Sequence, residues 1–208
     1  MAFRTLKPGT LLAPVPAVLV SAGAETERGP VRNLMTAAWA GTVCSEPPMV
    51  SVSIRPSRYT YELVKQSGEF VIHLTDRKLL RAADYCGVRS GREEDKFATC
   101  GLTPVPVEGF RHAPAIAQAP VYLACRTEQE LNLGSHVMFI GRIERMGVRE
   151  DLMDERGGIR LQDADLIAYS HGVYQTLGDV LGFFGFSVAS PEARKRRMRQ
   201  AARKREPK

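Results

Sequence analysis

The sequence has little of what usually announces a function. Its four cysteines, at positions 44, 86, 100 and 125, include no CxxC pair. No histidine stands near one at zinc-finger spacing, so neither a zinc module nor a dithiol redox motif can be read here. They read instead as free or buried thiols of a cytoplasmic protein. The histidines, at 73, 112, 136 and 171, are scattered and show no metal-ligand spacing. There is no GxGxxG after a strand, which argues against a doubly wound nucleotide fold, and no GxSxG nucleophile elbow. No apolar run approaches the ~18 residues that a membrane helix needs. Residues 11–24 follow Arg4 and Lys7 in the manner of a leader, but Pro14 and Pro16 interrupt them, and a first β-strand over 15–21 is the better reading.

The body of the chain also lacks net charge. The formal charge is +6, yet residues 191–208 hold nine Lys/Arg against two acids, so that segment is +7 and residues 1–190 are −1. The basic balance belongs to a tail and does not make the body a nucleic-acid binder. A length of 208 residues suits one domain, here 1–190, followed by a basic tail over 191–208 that reads as frayed or disordered.

What is present is mostly strand. Residues 22–30 read as a turn. Residues 33–41 form a strand of small residues around the only tryptophan, Trp39. A turn over 45–48 leads to residues 49–54, which alternate apolar residues with serine in a period of two. Pro56 and Ser57 then open a short helix, with Ser57 as N-cap and Gly68 just past its end. Residues 69–74 are a further strand. A second helix runs from a cap at Asp76 through Tyr85, with Gly87 ending it. Residues 87–96 are a charged, glycine-containing loop, and 97–120 are irregular. Residues 121–131 and 137–149 form an antiparallel hairpin, 161–170 hold one more short strand, and 171–187 are an ordered extension packed on the body. At least six strands with few short helices predict a mainly β fold, an antiparallel barrel or sandwich.

One stretch, 33–67, has the makings of a ligand cradle. Small residues let a flat group lie against a strand backbone. A helix start carries free N–H groups and partial positive charge, which suit a phosphate. Arg55, Ser57, Arg58 and Thr60 add donors there. Two exposed cations at a helix N-terminus oppose its dipole by about 0.3–1 kcal/mol each, which an anion would relieve. Ser90 and Lys96 lie in the loop that follows the second helix, where Lys96 by itself reads as a solvated loop lysine. No constellation of side chains points to acid–base or nucleophilic chemistry.

Five pieces of the chain, in order, resemble the flavin reductase-like, FMN-binding split-barrel proteins, and in particular their flavoredoxin branch: NLMTAAWAG, SVSIRPSRYTYELVKQSGEFVIHL, SGREEDKF, LGSHVMFIGRIERM and YSHGVYQTLGDVLGFFGFS. The resemblance covers about residues 12–187. It implies a split β-barrel, antiparallel and Greek-key-like, and a homodimer that binds FMN at its interface. It implies that Asn33, Met35, Thr36, Ala37 and Ala38 line the isoalloxazine, largely through backbone groups. By the same token Ser53, Ile54 and Arg55 reach the ring edge and ribityl chain, Arg58, Tyr59 and Thr60 hold the phosphate, and Ser90, Gly91 and Lys96 close the site. His136 matches a histidine near the nicotinamide side. His73 stands where many relatives have asparagine and receives no role. The expected activity is hydride transfer from NADH or NADPH, with electrons passed to a flavin, a protein or a small acceptor. An electron carrier without direct nicotinamide use is the alternative, and a non-catalytic protein that binds polyanions through its basic tail is the third reading. No specific nucleic acid and no membrane span are expected.

Overall fold

The computed structural model describes residues 2–202. Seven strands build one antiparallel sheet: β2 (Val18–Thr26), β3 (Gly29–Ala37), β4 (Ala40–Cys44), β5 (Met49–Ile54), β6 (Glu69–His73), β9 (Val121–Asn132) and β10 (Val137–Val148). Their order across the sheet is β3-β2-β6-β9-β10-β5-β4. The two edge strands, β3 and β4, are consecutive in the chain, and only Ala38 and Trp39 separate them. The sheet therefore has to curl, and the Ser53 N–H donates to the Trp39 carbonyl at 2.9 Å, which carries the β4–β5 ladder on to the junction with β3. Curling brings the two edges together without a ladder between β3 and β4, which leaves the barrel split there. The result is the expected antiparallel split barrel. The smaller pieces are β1 (Val15–Pro16), β7 (Pro104–Val105), β8 (Ala115–Ile116), β11 (Ile167–Ser170) and β12 (Val173–Thr176).

Alternation along β2 explains the core. Val18, Val20, Ala22 and Ala24 face the barrel interior with Val52, Ile54, Phe70 and Phe139. Leu19 faces outward with Leu34, and helices α2 (Leu80–Val88) and α3 (Lys96–Thr99) cover both through Ala82, Cys86 and Phe97. Successive strand side chains point to opposite faces, so a strand buried on both sides reads as an unbroken apolar run. Helix α1 (Tyr59–Ser67) adds Leu63 and Val64 to the interior cluster.

Two buried polar groups fasten the outer layer. The His73 ring is fully buried, with Nδ1 3.1 Å from the Leu19 carbonyl and Nε2 accepting from the Ile116 N–H at 3.1 Å. Those partners select the neutral Nδ1–H tautomer, and burial pulls the pKa down to about 4. An asparagine side chain also offers one donor and one acceptor, so this position serves structure. Burial pushes the Glu69 carboxyl up, but N–H groups of Arg111, His112 and Ala113 together with Arg126 outweigh it and hold it below the usual range. This carboxylate pins the 104–114 segment to the barrel.

Several local expectations change. The expected turn over 22–30 is mostly strand, because Ala22 and Ala24 are small core residues, and only 27 and 28 make the turn. The strand expected over 33–41 starts at Gly29 and breaks after Ala37. Arg58, not Ser57, is the N-cap of α1, because a turn closed by Arg58 N–H on the Arg55 carbonyl (2.9 Å) leaves Ser57 exposed outside the helix. Gly68 ends α1 in the left-handed region, φ 69°, as expected of glycine there. Asp76 caps a 3-10 turn, Arg77–Leu79, that runs into α2, and Gly87 lies inside α2. Lys96 belongs to α3, which Asp95 caps through the Phe97 and Ala98 N–H groups.

Beyond β12 the extension leaves the body, with Leu177, Leu181 and Phe184 exposed. The residues expected to fray form a helix up to the end of the described chain, α4 (Pro191–Ala202). Ser190 caps it through the Ala193 N–H, Pro191 occupies the first turn, and the interior has no glycine. The tail positions from 203 onward lie outside the described residues. Among the described residues no helix is long and apolar enough to cross a membrane.

Candidate functional site

The C-terminal half of β3 is the floor of the site. Met35 and Ala37 point into the barrel core, which leaves mainly their backbone edge for a ligand. Thr36 lies on the other face, where its Oγ1 donates to the Ala83 carbonyl of α2 and Gly87 packs against it. Ala38 is half-buried at the β3–β4 junction. Asn33 is buried, and its Nδ2 donates to Thr60 Oγ1 at 2.9 Å, which ties the floor to the first turn of α1.

The β5 end and the α1 start form the next wall. Ile54 is fully buried and pairs with Val137, while Ser53 is half-buried and pairs with Met138. Arg55 and Arg58 are exposed, and neither forms an ion pair among the described residues. Arg58 caps α1 with backbone only, supplying no side-chain bond to its first turn. Each arginine instead raises the local positive charge. Burial pulls the Lys96 pKa down and Arg58 adds to this, against the Cys86 thiol. Burial and then Arg55 pull down that of His136.

The 89–96 segment closes over this wall. A Cβ on Gly91 would lie 1.8 Å from Asn33 Oδ1, so only glycine fits beside the buried amide. Ser90 is half-buried, and its Oγ accepts the Arg92 N–H at 3.3 Å. Lys96 is not a solvated loop lysine: its buried Nζ donates to the Leu34 carbonyl at 2.8 Å and the Cys86 carbonyl at 3.1 Å, clamping α2 to β3. Tyr59 is half-buried, with the Arg92 guanidinium 4.9 Å above its ring and gripped by Glu62.

His136 stands apart, at the start of β10. Its ring stacks on Trp39 at 6.3 Å with planes 8° apart, and its Nδ1 is 2.9 Å from Ser135 Oγ. The structure thus brings Asn33, Tyr59, Thr60, Gly91 and Lys96 around one wall, and Trp39, Arg55 and His136 to one corner. Trp39 and Arg92 were not among the residues singled out from sequence. The rarity of tryptophan was a signal for Trp39; Arg92 lies in the charged 87–96 loop, and only the fold brings it over Tyr59.

A family model for the flavin reductase like domain matches residues 11–178. The flavoredoxin of Desulfovibrio vulgaris (Miyazaki F) has a similar structure, with a TM-score of 0.79 and 34% identity, over 88% of this chain and 97% of that one. An FMN-binding protein from Thermus thermophilus matches with a TM-score of 0.66 and 25% identity, over 85% and 95% of the two chains. In sequence, the reductase component of a 4-nitrophenol 4-monooxygenase/4-nitrocatechol 2-monooxygenase from Rhodococcus opacus is 28% identical over 102 residues, 49% of this chain and 51% of that protein.

Proposed function

Because the chain belongs to the flavin reductase-like family, we propose that it is an oxidoreductase that binds FMN along β3 and α1, takes hydride from NADH or NADPH, and passes the electrons to a flavin, a protein or a small acceptor. The observation that carries this reading is the pair Arg55 and Arg58, without carboxylate partners among the described residues, at a helix start that no side chain caps. An exposed arginine beside further positive charge is unfavourable until an anion arrives, and the phosphate of FMN is such an anion. The half-buried small residues Thr36 and Ala38, with the backbone edge of β3, suit the flat ring.

Bound FMN supplies the two-electron chemistry; the chain orients it and sets its electrostatics. Ser53, Ile54 and Arg55 line the path between ring and phosphate, Arg58, Tyr59 and Thr60 hold the phosphate, and Ser90 and Gly91 close over it. Lys96 keeps the floor rigid through its two carbonyl partners, and its positive charge favours a reduced, anionic ring nearby. The Trp39–His136 stack faces the nicotinamide side. A homodimer completes the reading. Large exposed apolar residues on both arms, Leu11 and Leu12 before β1 and Leu181 and Phe184 after β12, are the kind that a second copy covers. Four free thiols agree with a cytoplasmic setting.

The test is an absorption spectrum of the purified protein before and after anaerobic NADH and NADPH. Retained flavin that bleaches supports the reductase. Retained flavin that neither nucleotide bleaches favours a carrier, in line with the likeness to a flavoredoxin. Failure to retain FMN on reconstitution overturns both.

A further inference from the structure

Cys86 and Cys100 lie 14 positions apart, a spacing that carries no dithiol motif, yet the fold brings their sulfurs to 3.9 Å. Cys86 is buried on α2, in the cluster that holds Leu34 and Phe97. Cys100 follows α3 and packs half-buried against the same cluster. Both are free thiols. A disulfide needs its sulfurs about 2 Å apart. The remaining distance falls to Cys100, which ends a helix of only 4 residues and is the more exposed of the two.

The two thiols bracket the 87–99 segment, which carries Ser90 and Gly91 over the β3–α1 cradle. In the thiol form no covalent bond joins its ends. Lys96 Nζ holds them instead, donating to the Cys86 carbonyl at 3.1 Å and to the Leu34 carbonyl at 2.8 Å. The surroundings give the sulfurs different parts. Burial pushes the Cys86 thiol up to about 12 and shields it from reagents in solvent. Burial pushes Cys100 up as well, but a hydrogen bond from Cys86 and the positive charges of Lys96 and Arg81 work against burial and Glu94. Cys100 is therefore the thiol that meets an oxidant, and Cys86 is the partner close enough to resolve it. Thiols held protonated react slowly, so the pair answers sustained rather than brief exposure.

We propose that Cys86 and Cys100 are a reversible dithiol–disulfide couple, oxidised by hydroperoxides, that fastens the 87–99 segment over the cradle. Cys100 gives up its proton and its thiolate attacks one peroxide oxygen. An S–O bond forms, the O–O bond breaks, and the leaving hydroxide takes up a proton to become water. The Cys86 sulfur then attacks the Cys100 sulfur: the S–S bond forms, the S–O bond breaks, and the Cys86 proton leaves with the oxygen as a second water. Two electrons pass from the thiol pair to one hydrogen peroxide. A small dithiol reverses the step by thiol–disulfide exchange and is itself left as the disulfide. Closing the loop removes open states of the 87–99 segment. The couple stands without the flavin reading; its hold on FMN rests on that reading and deepens it.

The experiment treats the full chain, reconstituted with FMN, with hydrogen peroxide, alongside Cys100→Ser and Cys86→Ala. Intact mass, peptide mapping without reductant, the thermal midpoint and the rate of FMN release are read before and after. Wild type is expected to lose the mass of two hydrogens, to map a Cys86–Cys100 link, and to regain its mass with dithiothreitol. Its midpoint is expected to rise by about 5–10 °C, as a loop of this length implies, and FMN release to slow several-fold. Neither variant is expected to show these changes, and Cys86→Ala, with no resolving thiol, gains oxygen instead. Wild type that only gains oxygen, links to Cys44 or Cys125, or cross-links between chains overturns the proposal. So does a Cys86–Cys100 bond that leaves FMN release unchanged. Failure of the reduced protein to retain FMN refutes the flavin reading and the hold on FMN with it, while mass and midpoint still decide the couple.

Discussion

His73 ties folding stability to pH in a window where few other groups titrate. Its ring is fully buried between β2 and β8, and its pKa falls from 6.5 to about 4. In the unfolded chain the same ring titrates near its ordinary value. Between those two values the unfolded state binds a proton that the native state refuses. Stability contributed by the neutral ring is therefore complete above pH ~6.5 and is lost as pH falls toward the native value. At about 1.4 kcal/mol for each pH unit, the full drop amounts to about 3 kcal/mol. Against the 5–15 kcal/mol typical of a domain, that loss is large enough to move a midpoint.

The perturbation that isolates it is His73→Asn. Asparagine can offer an N–H to the Leu19 carbonyl and an oxygen to the Ile116 N–H, but it does not titrate. Urea unfolding of both proteins at pH 7.5, 6, 5 and 4.5 gives the two pH profiles. Glu69 and the other carboxylates are common to both, so they cancel in the difference. The wild type is expected to lose about 2–3 kcal/mol more than His73→Asn across that range. Parallel profiles would refute the argument, since they would mean that the native ring accepts a proton where it stands.

Three further outcomes follow from the same geometry. Gly91→Ala forces Asn33 from its bond with Thr60 and is expected to cost about 1–3 kcal/mol of stability, with FMN retention reduced in gel filtration of the reconstituted protein. Arg58→Ala removes a charge-assisted phosphate contact and is expected to weaken FMN binding roughly 10- to 100-fold in a fluorescence titration, while His136→Ala changes it by less; the reverse order counts against a phosphate at the α1 start. A chain ending at Ser190 is expected to keep its thermal midpoint, because Ala193, Arg194 and Arg197 of α4 bond to or stack on residues 183–190, and to lose low-salt affinity for heparin; unchanged affinity would exclude the basic tail as the polyanion-binding element.

The barrel was legible because its strands follow rules that act locally. Residues 49–54 alternate, 121–131 and 137–149 flank a glycine-containing turn, and both patterns hold in the structure. What was not legible depends on distant partners. Ala22 and Ala24 read as turn residues until the curled sheet supplies the crowded interior that small residues fit. Lys96 reads as a solvated loop lysine until the Leu34 carbonyl, 62 positions earlier, comes within reach of its ammonium. His73 reads as an odd replacement until the Leu19 and Ile116 backbone groups appear on either side of its ring. At 191–202 the basic run has good helix formers but almost no apolar residues and so reads as frayed, whereas the Ser190 cap and Pro191 start a helix there.

The candidate site escaped motif reading for a related reason. Its polar side chains are largely committed to the protein itself: Asn33 to Thr60, Thr36 to the Ala83 carbonyl, Lys96 to the Leu34 and Cys86 carbonyls, Arg92 to Glu62. These bonds hold β3, α1 and α2 in fixed relation and leave the strand backbone, the helix start and two arginines as the surface on offer. Recognition by backbone needs small residues and correct placement, not particular functional groups, so it writes only a faint pattern of alanine and glycine into the sequence. Such a surface carries no acid, base or nucleophile of its own. It suits a ligand that brings its own reactivity and asks the protein for a rigid, positively biased seat.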